Sequence, residues 1–303
     1  MSESGPLVNI GDLSKPVTVL IERIADSIGG IARPWQIIRV AKAETKADMI
    51  RAEGQIEIND LQRRSLIRFI TEEAKRQQNI ESIVQKAIPD VHEDAAPEHI
   101  EEDWLVHFFD RCRLVSEDRI QNLWSKLLAE EANTPGRFSK RTIDMLSTLE
   151  ARDARLLRQI RTFCFEIDGG RCLQLPTAPT GLVPLILEVH SSSGGFIYEK
   201  YIEDLHTTLV HLAEINLLYY TGSQFALLEV PAEICYYDTT LRLRSERDHL
   251  GIGLAMFTKS GHELASICDS CQLGEFLEYI LERWGSFCHI VNKSTSHKLS
   301  HKK

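Results

Sequence analysis

No apolar run in this sequence reaches the roughly 18 to 20 residues that a membrane-spanning helix needs. The opening MSESGPLVNIGDLSKP has no basic region followed by an apolar core, so no secretory signal is expected. Walker and dinucleotide-binding glycine spacings are missing, as are G-x-S-x-G, H-E-x-x-H and a carboxylate-rich nuclease signature. No cofactor is therefore expected. A basic bias is missing too: the net charge is -9, so nucleic-acid binding would need a local patch. The seven cysteines are odd in number and scattered, which fits free thiols in a reducing cytoplasm better than a disulfide scaffold. What remains is ordinary globular composition, 43% hydrophobic and 26% charged over 303 residues, enough to bury a sizeable core.

The texture changes along the chain, giving a segment order of 1–34, 35–88, 89–103, 104–162, 163–290 and 291–303. In the first segment, Val17, Leu20, Ile21, Ile24 and Ile28 recur at helical spacing, and Ser14 and Pro16 suit a helix start. This amphipathic helix either packs on protein or lies on a membrane surface. Its polar face balances acids and bases, which favours packing. Leu20, Ile21, Ile24 and Ile28 are the residues expected to mediate assembly or membrane contact. The second segment is rich in strong helix formers and carries no proline before Pro89. From Arg39 to Glu81, nine bases alternate with eight acids. A long helix or helical hairpin is expected, with a bend at Gly54. A helix this polar gains little by folding alone, so pairing with a second copy is expected.

Residues 89–103 hold seven acids and no Lys or Arg, which reads as an acidic linker. The helical bundle of 104–162 follows. Trp104, Leu105, Phe108, Phe109 and Cys112 form one stripe; Ile120, Leu123, Trp124, Leu127 and Leu128 form another. Ser116 is the expected N-cap of the second helix. Pro135-Gly136 breaks the chain, and one helix is expected from Lys140 through Ile160. Segment 163–290 reads as an α+β module: a strand near Phe163, a helix with Leu205, Leu209 and Leu212, and strands at Leu217–Tyr220 and Phe225–Val230 around a Thr221-Gly222-Ser223 turn. A helix capped by Thr258 and a final amphipathic helix complete it. The fold class expected is α+β, mostly α, with a long helical arm, a central bundle and a winged-helix-like C-terminal module. The last segment is a polar, basic tail, expected to be disordered.

The tryptophan followed by LLAEEANTPGRFSKRT and a leucine-rich helix, Trp124 to Leu149, resembles the uncharacterised bacterial family known as domain of unknown function 2806. KPVTVLIERIADSIGG and FTKSGHELASI add to the likeness. The resemblance implies no settled activity. Helix-rich proteins with a similar corner are suspected in abortive-infection phage defence, and that setting is carried by analogy alone.

Two constellations carry chemistry. Cys268 and Cys271 form a C-x-x-C pair with His262 before it, a ligand set zinc accepts, but no second pair accompanies it and ordinary packing is the favoured reading. Glu130, Glu131, Arg137, Lys140 and Arg141 surround the Pro-Gly corner, and Glu130, Arg137, Lys140 and Arg141 are the candidate interaction residues. They read as a salt-linked loop, with Glu130 holding Arg141 or the Ser139–Thr142 backbone, or as a charged interaction edge. The function expected is non-enzymatic: a self-assembling cytoplasmic protein in phage defence, whose C-terminal module senses a protein trigger; if the trigger releases the first helix, that helix would act on the inner membrane peripherally. A winged-helix-like nucleic-acid-binding regulator is the alternative, helped by the local basic bias of RLRSERDH, residues 242–249. A cryptic hydrolase or nuclease is the third reading.

Overall fold

The structure, a computed structural model, describes residues 13–28, 60–167, 181–184, 200–220, 226–244, 249–252 and 255–293. The expected bend at Gly54, the Thr221-Gly222-Ser223 turn and the basic tail lie outside the described residues. The fold is α+β and mostly α, and the chain divides into two compact units, Met1–Thr148 and Leu149–Lys303.

In the first unit, helix α1 is Lys15–Ile28. The long helix α2 is Asp60–Ala87, α3 is Glu102–Cys112, α4 is Asp118–Asn133 and α5 is Lys140–Thr148. The core forms where their apolar stripes meet. The Phe108 ring stacks on Trp104 at 5.1 Å and meets Phe109 and Trp124 edge-on, each at 5.0 Å. Such ring pairs contribute roughly 0.5–1.5 kcal/mol beyond the area they bury. The last third of α2 docks on α4 through Ile80, Ile83, Val84 and Ala87. Polar ties fix its register: Asn79 Nδ2 donates to the Arg113 carbonyl at 2.9 Å and Ser82 Oγ to Gln121 Oε1 at 2.8 Å.

Two expectations change here. The N-cap of α4 is Glu117 and not Ser116: the Glu117 carboxylate accepts the Ile120 N–H at 2.8 Å, and its charge suits the positive helix end better than a hydroxyl. The acidic segment 89–103 is strapped to the first unit. His92 N–H donates to Asn133 Oδ1 at 2.8 Å, Asn133 Nδ2 donates to the Asp90 carbonyl at 3.0 Å, and Ala96 N–H reaches the Ala132 carbonyl at 3.1 Å. The side chain of Asn133 fills backbone bonds on either side, so the segment keeps a fixed path despite its charge.

The single helix expected from Lys140 to Ile160 is two. Helix α5 stops at Thr148, and α6, Ala151–Arg161, opens the second unit. The break is chemical: Asp153 Oδ2 accepts the Glu150 N–H at 3.0 Å, the carboxylate half of a capping box. The remaining elements are β1 Cys164–Ile167, β2 Gly181–Pro184, α7 Leu205–Glu214, β3 Leu218–Tyr220, β4 Ala226–Glu229, β5 Ala232–Tyr236, β6 Thr239–Leu243, β7 His249–Ile252, β8 Ala255–Phe257, α8 Lys259–Ile267, α9 Gly274–Trp284 and β9 Cys288–Lys293. Strands β2-β1-β5-β6-β9 form an antiparallel sheet in that order. One face buries Phe165, Ile234, Tyr236 and Leu241, and the rings of Phe165 and Tyr236 meet Phe276 of α9 at 5.8 and 5.3 Å. Glu233 and Glu166 point to the other, exposed face, the alternation a half-buried sheet requires.

Strands β3 and β4 form where expected but do not pair with each other. β3 pairs with β8, Leu218 opposite Phe257, and β4 pairs with β7, Ala226 opposite Ile252. The stretch 218–257 thus folds back about the Tyr237-Asp238 turn, whose strands β5 and β6 are embedded in the larger sheet. Tyr237 adopts a left-handed conformation, φ 53°, uncommon for an aromatic residue. Its hydroxyl donates to Ser270 Oγ at 2.8 Å, and the Arg161 guanidinium lies 5.3 Å over its ring. These contacts hold a turn that the backbone alone would not favour.

Candidate functional site

At the Pro-Gly corner the decisive side chain is Glu131, a member of the expected cluster to which no separate role was given. Only 1% of it is exposed. Its carboxylate accepts the Gly136 N–H at 2.7 Å and the Phe138 N–H at 2.9 Å. Gly136 turns the chain with φ 83°, a conformation glycine takes without a steric cost. On the far side, Trp104 Nε1 donates to the Phe138 carbonyl at 2.9 Å. Glu131 follows Leu127 and Leu128 at helical spacing, so the pattern did place it on the buried stripe; a carboxylate there needs donors. Among the expected interaction residues, Glu130 pairs with Arg137, and not with Arg141. Arg137 also covers the Phe138 ring at 5.2 Å. Lys140 lies 3.7 Å from Asp103. Arg141 is exposed on the first turn of α5. The corner brings Glu130 and Arg137 together, while Lys140 turns to Asp103 and Arg141 stays exposed.

The cysteine pair lies elsewhere. Cys268 ends α8 and is buried, Cys271 is exposed in the following loop, and His262 is half-buried on α8. Among the described residues, no group of three or more His, Cys, Asp or Glu side chains is arranged to hold a metal. The loop is gripped by its neighbours: Tyr236 Oη accepts the Leu273 N–H at 3.1 Å while donating to the Thr162 carbonyl at 2.9 Å. Burial pushes the thiol of Cys164 well above its usual range, with Cys268 close by adding to the effect and Arg161 opposing it. Thiols so placed are protonated and unreactive at neutral pH.

In α1, Val17, Leu20 and Ile24 are buried, and α1 packs on α3. Arg23 reaches the Ile100 carbonyl at 2.5 Å. Ile21 and Ile28 are half-buried. Leu20 and Ile24 therefore serve the interior of the first unit.

The long helix α2 carries several exposed apolar side chains toward its N-terminal end. Leu66, Phe69, Ile80, Ile83 and Ala87 share heptad positions on one face, which Gln62, Glu73 and Arg76 interrupt with polar side chains. At the C-terminal end Ile83 is fully buried. At the N-terminal end Leu66 is 43% exposed and Phe69 60% exposed, with Leu61 and Ile67 also exposed. The same stripe is thus covered over one part of the helix and open over the other. At about 1.5 Å per residue, the exposed part from Asp60 to Gln78 extends for roughly 28 Å.

A family model described as "Protein of unknown function (DUF2806)" matches residues 63–281. The chain belongs to that family. No curated protein and no solved structure matches it. The DUF2806 match starts within the exposed part of α2 and ends within α9. It includes the Pro-Gly corner and the cysteine loop, whereas α1 and β9 fall outside it.

Proposed function

We propose that this DUF2806 protein is a non-enzymatic, self-assembling protein: the exposed part of α2 pairs with a second copy, and the C-terminal unit receives the trigger. The observation that supports this is the apolar face of α2, whose Leu66 and Phe69 stand exposed while Ile80 and Ile83 are buried. Burying one such side chain contributes about 1.5–3 kcal/mol. Leu66 and Phe69 are already about half covered within their own chain, so four of them in a pair of helices supply about half of that full-burial value, roughly 3–6 kcal/mol, against an association cost of about 4–15 kcal/mol. The assembly is accordingly concentration-dependent. Phage defence is the setting, by analogy with helical proteins sharing the corner. A membrane step requires α1 to leave α3, because Leu20 and Ile24 are otherwise inside.

Light scattering coupled to size exclusion tests the proposal. The wild type is expected as a multimer that dissociates on dilution, and the double variant Leu66→Glu/Phe69→Glu as a folded monomer. A wild type that stays monomeric at every concentration up to the solubility limit would refute it. The membrane step is tested separately by leakage from anionic vesicles, with Ile21→Glu as the comparison. A nucleic-acid reading draws on Arg242 and Arg244, but Glu233 already pairs with Arg242.

A further inference from the structure

On the open side of the second unit's sheet, a cleft of about 630 Å³ is lined by Pro231, Ala232, Glu233, Arg242 and Arg244. Its size falls in the range of small-ligand pockets, roughly 300–1,000 Å³. Arg242 and Arg244 occupy alternate positions along the chain at the end of β6, so both face the cleft about 6–7 Å apart. Arg242 Nε donates to Glu233 Oε1 at 2.9 Å, and a second guanidinium nitrogen meets the same oxygen. Arg244 is exposed, and its backbone is pinned where its N–H reaches the Phe287 carbonyl at 2.8 Å. His289 of β9 stands opposite Arg242 across the strand pair. The Arg242 guanidinium is held by Glu233 and Arg244 is anchored through its backbone, so Arg244 presents its positive charge to the cleft, in a chain that carries -9 overall. Planar guanidinium forks match phosphate oxygens, and Pro231 and Ala232 offer an apolar wall for an organic group.

We infer that this cleft binds a small organic phosphate carrying a diphosphate group, with Arg244 as its main contact and Glu233 as an internal competitor for Arg242. The inference deepens the trigger-sensing part of the proposed function, while the assembly part does not bear on it. A polynucleotide fits less well, because the positive charge is confined to one cleft.

The test is calorimetric titration of the full chain with ADP, inorganic pyrophosphate and a short single-stranded oligonucleotide, with circular dichroism to show that each variant is folded. ADP and pyrophosphate are expected to bind. Arg244→Gln should weaken both by about tenfold or more, the effect of one lost charge-assisted contact. Glu233→Gln should tighten both, because it keeps a partner for Arg242 and removes the opposing charge. Arg63→Gln, on α2, should change nothing. The inference is overturned if neither ligand binds at millimolar concentration, if Arg244→Gln leaves binding unchanged, if Arg63→Gln weakens it equally, or if the oligonucleotide binds and ADP does not. A folded monomer that binds ADP would sink the assembly proposal alone; a multimer that ignores ADP would sink this inference alone.

Discussion

The Pro-Gly corner of the first unit and the strand–helix crossing of the second solve one problem, bringing backbone close to backbone in a dry interior, by opposite means. At the corner a charged side chain fills the space: Glu131 spans from α4 to the loop and accepts two N–H groups. At the crossing it is a missing side chain that matters. A β-carbon on Gly261 would stand 1.9 Å from the Leu217 carbonyl oxygen. Around it Thr258 threads three bonds: its Oγ1 accepts the Gly261 N–H at 3.0 Å and donates to the Asn216 carbonyl at 2.7 Å, and its N–H reaches the Leu217 carbonyl at 3.0 Å. The corner depends on polar satisfaction and the crossing on volume. The two devices should therefore fail under different substitutions.

The largest effect is expected at the crossing. Gly261→Ala puts a methyl group into backbone atoms, which have no rotamer to escape into. Its cost should exceed about 3 kcal/mol, the upper end of ordinary overpacking, and the variant should unfold at much lower urea or accumulate insoluble. Gly274→Ala, at the start of α9 with nothing within 4 Å of the added atom, is the matched control. It should be neutral or stabilising by less than about 1 kcal/mol. Equal stability of the two variants would mean that the crossing is looser than its geometry.

Next comes Glu131→Gln at the corner. The amide can accept one of the two N–H groups but turns its own donor toward the other. A hydrogen bond to a charged group contributes about 1.5–3 kcal/mol, so the loss should lie near 2 kcal/mol, read as a shift of the first unit's urea transition. Trp104→Phe should cost less, about 1 kcal/mol, because it removes one neutral hydrogen bond and orphans the Phe138 carbonyl while keeping most of the ring packing. If Trp104→Phe proves worse than Glu131→Gln, aromatic packing and not the carboxylate holds the corner.

Much of this architecture was legible in the residues. Trp104, Phe108, Phe109 and Cys112, and Leu123, Trp124, Leu127 and Leu128, all lie on buried stripes, because helical periodicity is a local signal. Thr258 caps α8 as its position before the helix suggests. Strand pairing was not legible in the same way. The partner of Leu218 is Phe257, thirty-nine positions on, and nothing between them marks that register. The helix break at Leu149-Glu150 had a signal in the Glu-x-x-Asp spacing, but the leucine stripe ran across it and masked it. At the corner, sequence pointed to the right loop and to both glutamates, but gave the bridging role to Glu130 instead of Glu131. Glu130 and Glu131 are chemically identical neighbours, and only the orientation set by Leu127 and Leu128 separates the surface partner of Arg137 from the buried acceptor. The Arg242 and Arg244 cleft was visible only as a faint basic bias, since Glu233, which shapes it, lies nine positions from Arg242 and meets it across two strands.

The smallest expected effect sharpens the contrast within the corner itself. Arg137→Ala removes the pair with Glu130 and the cation that covers Phe138. About a third of each charged side chain is exposed, so solvent screens the attraction. A surface ion pair contributes about 0–1 kcal/mol, and the cation over the ring about 0.5–1 kcal/mol at an exposed site. The total should stay under about 2 kcal/mol and shrink in high salt, whereas the Glu131→Gln loss should hardly respond to salt because Glu131 sits away from mobile ions. Urea titrations of both variants at low and high ionic strength measure the difference. A salt-insensitive loss in Arg137→Ala would place the weight of that contact on the Phe138 ring, with the ion pair adding nothing.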